Sequence, residues 1–111
     1  MAVVNQYKFA GLNANTDNTE KNPFGSGNPL VSETYLIKSI IVKSAGTPTP
    51  TVTNDGIVVI QSAALVANQS KELLTQPLIV EGGKTFTIKA GSADAFTFGV
   101  SYLNIKKEVV T

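Results

Sequence analysis

Four residue types are missing from this chain: its 111 residues include no arginine, histidine, cysteine or tryptophan. Without cysteine and histidine there is no disulfide, no thiolate or imidazole metal ligand, and no nucleophile or base of either type. Without arginine there is no planar guanidinium group to bind phosphate or guanine through two parallel hydrogen bonds. These absences lower the expectation of an enzyme, and we expect a protein without catalytic residues, metal or cofactor.

Charge of one sign and long apolar runs are also missing. The chain has nine lysines and eight carboxylates, which leaves a net charge of +1. Nucleic-acid-binding proteins, by contrast, concentrate positive charge on one surface. Residues 1–12 contain no basic run followed by an apolar stretch, so they do not have the pattern of a secretory signal. The longest apolar runs are a few residues, far below the ~20 that cross a bilayer. We therefore expect neither nucleic acid nor a membrane as a partner.

The apolar residues that are present are unevenly distributed. Leu, Ile, Val and Phe make up about 30% of the chain, but only five of these residues lie in the first 29 positions, which hold six of the nine asparagines. A segment so poor in apolar residues cannot build a core. The sequence therefore predicts an extended N-terminal arm over residues 1–29 and one β-sandwich domain over residues 30–111. We expect nearly all regular structure after residue 30, although residues 1–12 could add one strand to a sheet.

The pattern after residue 30 is typical of β-structure. Short β-branched runs are separated by turn residues, and Asn54-Asp55-Gly56 and Gly82-Gly83 indicate tight hairpins. Residues 35–43 are apolar on both faces, which predicts a central strand covered on two sides. Residues 62–74 permit a helix but are interpreted as strand and loop, and residues 44–51, with two prolines, as an edge or an exposed loop. The fold class predicted is all-β: an antiparallel β-sandwich or a jelly-roll-like barrel with an extended N-terminal arm.

Alternation along these strands also predicts the core. Residues 95–106 form a long strand whose apolar register changes after Tyr102, which indicates a bulge or a change of covering layer. The side chains expected to be mostly buried are Leu36, Ile40, Ile57, Val59, Phe86, Ile88, Phe98 and Val100.

Several short motifs match functional patterns, and each has a commoner structural explanation. Ser92 and Asp94 could be a nucleophile and a base, but they fit a hydrogen-bonded turn better. Residues 81–84 could bind an anion but fit a hairpin turn, and residues 13–20 could bind calcium but fit a solvated or partner-bound loop. An aromatic stacking platform is also conceivable, although core packing is favoured for its members, which are Tyr35, Phe96, Phe98 and Tyr102.

Five sequence segments, taken in order, resemble small β-sandwich virion proteins of tailed bacteriophages. They are YLIKSIIV at 35–42, LVANQSKELL at 65–74, PLIVEGGK at 77–84, ADAF at 93–96 and VSYLNI at 100–105. The resemblance covers residues 34–106 and leaves the N-terminal segment unmatched. It implies a capsid decoration or cement protein of the virion, assembled in the host cytoplasm, that binds and stabilises the shell. A neck, tail or fibre component is the alternative within the same class.

The resemblance also implies partners. These are the major capsid protein or another virion subunit, together with further copies of this chain in a homo-oligomer, a trimer being one option. The arm would then order against neighbouring subunits, and its apolar anchors are Val3, Val4, Tyr7 and Phe9. If the arm has no such role, residues 44–51 are the first alternative surface. A carbohydrate-binding module remains a different class of function, and it would need exposed aromatic side chains or a calcium loop.

Overall fold

In a computed structural model, the described part of the chain is all-β and comprises residues 2–15, 19–25, 27, 29–91 and 95–108. Every strand pairing in it is antiparallel. The prediction of an antiparallel β-sandwich is therefore confirmed. The strands are β1 (Ala2–Asn15), β2 (Glu33–Ser44), β3 (Thr51–Asn54), β4 (Ile57–Gln61), β5 (Lys71–Glu72), β6 (Leu78–Val80), β7 (Phe86–Lys89) and β8 (Phe96–Glu108).

Two sheets of unequal size face each other. The larger sheet has the order β1-β8-β2, and both β5 and β6 pair with the far side of β2. The smaller sheet has the order β4-β3-β7. The core fills the space between them, and its largest buried side chains include Phe86 and Ile88 from the smaller sheet and Phe96, Phe98 and Ile40 from the larger one.

The N-terminal segment contributes a long strand of its own. β1 pairs with β8 from Ala2 opposite Glu108 to Asn15 opposite Phe96. The expectation that nearly all regular structure follows residue 30 is therefore wrong. β8 is a long strand with β2 on one side only, so the backbone groups on its other side need a partner, which β1 supplies. The division of the chain into an arm and a separate sandwich stays a prediction.

A bulge in β2 determines which residues reach the core. The pairing of β2 with β8 shifts by one residue between Ile37 and Ser39, so Lys38 is an extra residue. Ile37 and Ile40 therefore both point inward, although residues three positions apart in a regular strand point to opposite faces. Of the two alternatives predicted for β8 after Tyr102, a bulge is excluded, because the pairing of β8 with β1 runs without a shift there. Leu103 lies on the side of the sheet that faces away from the core.

The predicted core is confirmed at five of its eight positions. Ile40, Phe86, Ile88, Phe98 and Val100 are buried. The other three expectations are wrong: Leu36 is only half-buried, Ile57 is 64% exposed and Val59 is 41% exposed.

Position in the sheets explains these three errors. Before the β2 bulge, Tyr35 and Ile37 point into the core, so Leu36 between them points to the other side of the sheet. Ile57 and Val59 lie on β4, an edge strand of the smaller sheet, whose inward side chain is Ile60. Because β4 is apolar in both registers, alternation could not tell which residues face inward.

The predicted turns are largely confirmed. Asp55 and Gly56 have φ angles of 53° and 75°, as a tight hairpin requires, and Gly83 has a φ of 80°. Residues 62–74 contain no helix. The proline-containing stretch after β2 is a loop, but it is not fully exposed, because Pro48 and Pro50 are buried and their carbonyls accept hydrogen bonds from Leu65 and Ser62.

Candidate interaction surface

The sites of chemistry considered from the sequence are not assembled in the described structure. No group of three or more residues able to hold a metal occurs among the described residues. Residues 81–84 form a turn in which the Lys84 amide donates to the Glu81 carbonyl at 3.1 Å. Ser92 and Asp94, and part of the 13–20 segment, lie outside the described residues. In the described ranges there is also no helix long and apolar enough to cross a membrane.

The aromatic platform considered from the sequence is part of the core. Tyr35, Phe96, Phe98 and Tyr102 are all buried, so none of them offers a face to a ligand. Tyr35 and Tyr102 each pack against Phe24 with ring centroids 4.7 Å apart. The interpretation of these rings as core packing is confirmed.

One carboxylate is buried beside this aromatic cluster. Glu33 accepts hydrogen bonds from the Asn104 side-chain amide at 2.8 Å and from the Leu30 backbone amide at 3.1 Å. Burial by itself would raise the pKa of Glu33, but these hydrogen bonds and the charges of Lys106 and Lys8 outweigh it, so the pKa is lowered. Glu33 is therefore an ionised structural anchor that ties the start of β2 to β8.

The pKa values of the two neighbouring tyrosines, Tyr35 and Tyr102, are raised. Burial, followed by the negative charge of Glu33 and by Tyr102, raises the pKa of Tyr35 to about 12. Burial and Glu33 also raise the pKa of Tyr102. Both phenols therefore remain neutral at physiological pH, and the cluster has no group poised to donate or accept a proton there.

Replacing Glu33 by glutamine should make the protein less sensitive to acid. Because the folded state lowers the pKa of Glu33, its contribution to stability is complete above the unfolded value of 4.5 and is lost as the pH falls through the folded value. At neutral pH we expect Glu33→Gln to cost about 1 to 2 kcal/mol. Urea unfolding at about pH 7 and about pH 3 measures both effects, with the exposed Glu81→Gln as control. Equal acid sensitivity in the wild type and Glu33→Gln would contradict this assignment.

The side of the larger sheet that faces away from the core is unusually apolar. We call this side of β1, β8, β2 and β6 the outer face. Tyr7 pairs with Leu103, Leu103 with Leu36, and Leu36 with Ile79, so four apolar side chains form one row across four strands. Tyr7 is 78% exposed and Ile79 is 55% exposed. This row is therefore an apolar surface open to solvent.

A trough lies beside this row on the outer face. It has a volume of about 540 Å³ and is lined by Phe9, Gly11, Ile41, Lys43, Thr97 and Gly99, among others. The Phe9 ring leans over the floor, because a Cβ atom added at Gly99 would lie 2.5 Å from Phe9 Cζ. Glycine at position 99 thus lets the ring lie flat on the sheet. Phe9 is nevertheless 69% exposed.

The structure brings two of the four predicted anchors onto this face. Tyr7 and Phe9 point outward from β1 two residues apart, whereas Val3 and Val4 pair with Lys107 and Lys106 at the far end of the strand. The side chains of Val3 and Val4 lie outside the described ones, so their role as anchors stays a prediction. Residues 44–51, the alternative surface, pack partly against residues 62–65.

The other members of the surface come from β2, β6 and β8 and were not evident from the sequence. The available signal was the apolar character of β2 on both faces, which predicted cover on two sides. Within the described chain only the inner side is covered. The residues missed as surface residues are Leu36, Ile41, Ile79, Leu103 and Ile105.

Comparisons with known proteins add one likeness. No family model and no curated protein matches the chain. Among solved structures, a chain described under "Bacillus endospore appendages form a novel family of disulfide-linked pili" is similar, with a TM-score of 0.50 and 14% sequence identity. The match covers 96% of this chain and 89% of the other. At this identity the likeness concerns the fold alone.

Proposed function

We propose that this chain is a non-enzymatic structural subunit of a repeated protein assembly and that it joins the assembly through its outer face. The observation that carries this proposal is the exposed row from Tyr7 to Ile79. Continuous apolar patches of this kind mark interaction sites on soluble proteins. The rigid sandwich behind the patch suits a subunit that bears load and performs no chemistry.

The assembly we propose is the virion of a tailed bacteriophage, in which the chain acts as a capsid decoration protein. The support is the resemblance of residues 34–106 to small β-sandwich virion proteins. The partner would be the major capsid protein or another virion subunit, and a position at the neck, tail or fibre is the alternative. Assembly in the host cytoplasm belongs to the same proposal.

A self-assembling fibre is a second candidate. The observation in its favour is that the fold of this chain resembles a protein described as a pilus component over 96% of its length. That protein belongs to a family called disulfide-linked, whereas this chain has no cysteine. Disulfides could therefore not link the subunits of a fibre of this chain.

Cryo-electron microscopy of virus particles from the source tests the proposal. We expect the chain at regular positions on the shell with its outer face against another subunit. Particles carrying Tyr7→Ser with Phe9→Ser should lose most of the protein, because both substitutions remove apolar contact area. Ile57→Ser is the matched control, because Ile57 is also an exposed apolar residue, at 64%, and lies on the smaller sheet.

Other outcomes would separate the candidates. Absence of the chain from the particles contradicts the virion proposal, and fibres formed by the purified chain alone would favour the second candidate. Specific glycan binding that disappears in the Tyr7→Ser, Phe9→Ser variant would instead support a carbohydrate-binding module, since these two side chains are exposed aromatic rings.

A further inference from the structure

The free strand edges of this molecule are poorly suited to accept an added strand. On β1, which ends the larger sheet, Lys8 pairs with Tyr102 and so lies on the inward-facing side. Lys8 is exposed there, and a charged side chain on the inward-facing side of an edge strand is one feature that disfavours addition of another strand. β5 and β6, at the other end of the sheet, are only 2 and 3 residues long.

The smaller sheet is protected in other ways. The pairing of β4 with β3 shifts between Val52 and Thr53, which leaves Val59 as a bulge in the edge strand. On the opposite edge, Lys21 and Ile88 exchange two backbone hydrogen bonds of 2.9 Å. Because these edges disfavour strand addition, a partner is better met on a sheet face, and the outer face of the larger sheet has the apolar row that crosses four strands.

We infer that a second copy of this chain occupies the outer face, so that two copies pack face to face about a two-fold axis. This inference rests on the proposed function, and the subunit that it places against the outer face is a second copy of the chain and not the capsid protein. A two-fold contact uses one patch twice, so the patch must complement itself. The outer face has both parts of such a contact: the exposed Tyr7 side chain, and a trough over whose floor the Phe9 ring lies.

The dimensions of the face suit a stable pair. Three strands ~4.8 Å apart and about ten residues long, at a rise of ~3.3 Å per residue, cover roughly 480 Å² in projection. A standard interface buries ~800 Å² on each partner, so a stable pair would bury the outer face and the side chains that project from it over most of their area. A cavity of about 150 Å³ is enough for benzene, so the trough of about 540 Å³ has room for an aromatic ring of the other copy.

Charge placement favours one orientation of the pair. With the two-fold axis along β8, β1 of one copy lies over β2 of the other, and Tyr7 then faces the partner copy's Leu36. Lys43 of each copy falls on opposite margins, about two strand spacings or ~10 Å apart in the plane. Both ammonium groups can then reach solvent, and no like charges are forced together at the centre.

Sedimentation velocity on the purified full-length chain tests the inference. We expect a mass of two copies, and a dissociation constant raised on the order of a hundredfold in Tyr7→Ser with Phe9→Ser. Ile57→Ser should leave the dissociation constant unchanged. Circular dichroism melts check that each variant is folded, and Tyr7→Ser alone provides a second variant that alters only an exposed side chain.

A single introduced cysteine tests the geometry, because the chain has none of its own. Thr97 lies on the floor of the trough near the proposed axis, so Thr97→Cys in two copies should be joined efficiently by a short bismaleimide. Thr85→Cys, exposed beside the smaller sheet, should not be joined at the same concentration. A monomeric chain, a mass of three copies, or equal cross-linking at both sites would overturn the inference.

These results are separable from those on the proposed function. If the chain is monomeric but Tyr7→Ser with Phe9→Ser still removes it from particles, the two-fold pair is wrong and the structural role stands. If the chain pairs through its outer face but is missing from any assembly, the pair stands and the role is wrong.

Discussion

Truncating Phe98 to alanine is expected to lower the free energy of unfolding by about 3 to 5 kcal/mol. Phe98 is 2% exposed and lies in the central strand β8, where its ring packs with that of Phe96 at a centroid distance of 5.8 Å. Removing the ring loses its transfer free energy and leaves a cavity that the two sheets cannot fill without moving together. Urea unfolding of the wild type and the variant measures the change.

Tyr7→Ala is the matched control for this prediction. Tyr7 is also an aromatic residue of the larger sheet, but 78% of it is exposed, so its loss should change the stability of the monomer by only about 0.5 kcal/mol. A Phe98→Ala variant as stable as Tyr7→Ala would mean that β8 does not present Phe98 to the core. Both variants are compared at a protein concentration where the chain is monomeric.

The fold class could be predicted because local signals agreed with the tertiary structure. The turn at Asp55 and Gly56 needs positive φ angles, and these residue types tolerate them, so the β3-β4 hairpin was evident from sequence. Phe86 and Ile88 alternate with polar residues on a half-buried strand, which fixes their direction. At these positions a few neighbouring residues contain the necessary information.

The predictions that were wrong concern features that neighbouring residues in the sequence do not determine. Lys38 is an extra residue in β2 because β8 pairs with the residues before and after it. The residue types at positions 37–39 do not indicate a bulge. The pairing of β1 with β8 joins residues about 90 positions apart. Such contacts depend on the complete sheet, so composition alone did not place residues 2–15 in a long strand against β8.

In the candidate surface, too, some residues could be predicted from neighbouring positions and others depend on pairing between distant strands. Tyr7 and Phe9 could be chosen from sequence because they are the large apolar residues of a polar segment. Leu36 and Leu103 could not, since an apolar residue in a central strand normally points to a core. Only the pairing register places them beside Tyr7 on the side that the smaller sheet does not cover.

Replacing Gly82 by alanine should cost about 3 kcal/mol, at the upper end of what overpacking usually costs. A Cβ atom at this position would lie 2.5 Å from the Val31 carbonyl oxygen and 2.6 Å from those of Leu30 and Glu33. These are backbone atoms of the turn before β2 and of the first residue of β2. The turn is held by a hydrogen bond of 2.8 Å from the Glu33 amide to the Leu30 carbonyl. The turn cannot move away without disturbing the buried Glu33, so the added methyl group cannot be accommodated at low energetic cost.

Gly56→Ala separates this close approach from the general cost of losing a glycine. Gly56 has a φ of +75°, which strains alanine, but a Cβ atom there would meet nothing within 4 Å. Its substitution should therefore cost about 1 kcal/mol from backbone strain alone. Urea unfolding should rank Gly82→Ala as clearly less stable than Gly56→Ala, and its acid sensitivity should also decrease if the Leu30 amide is pushed away from Glu33. The reverse order of stability would show that residues 29–33 do not pack against the turn between β6 and β7.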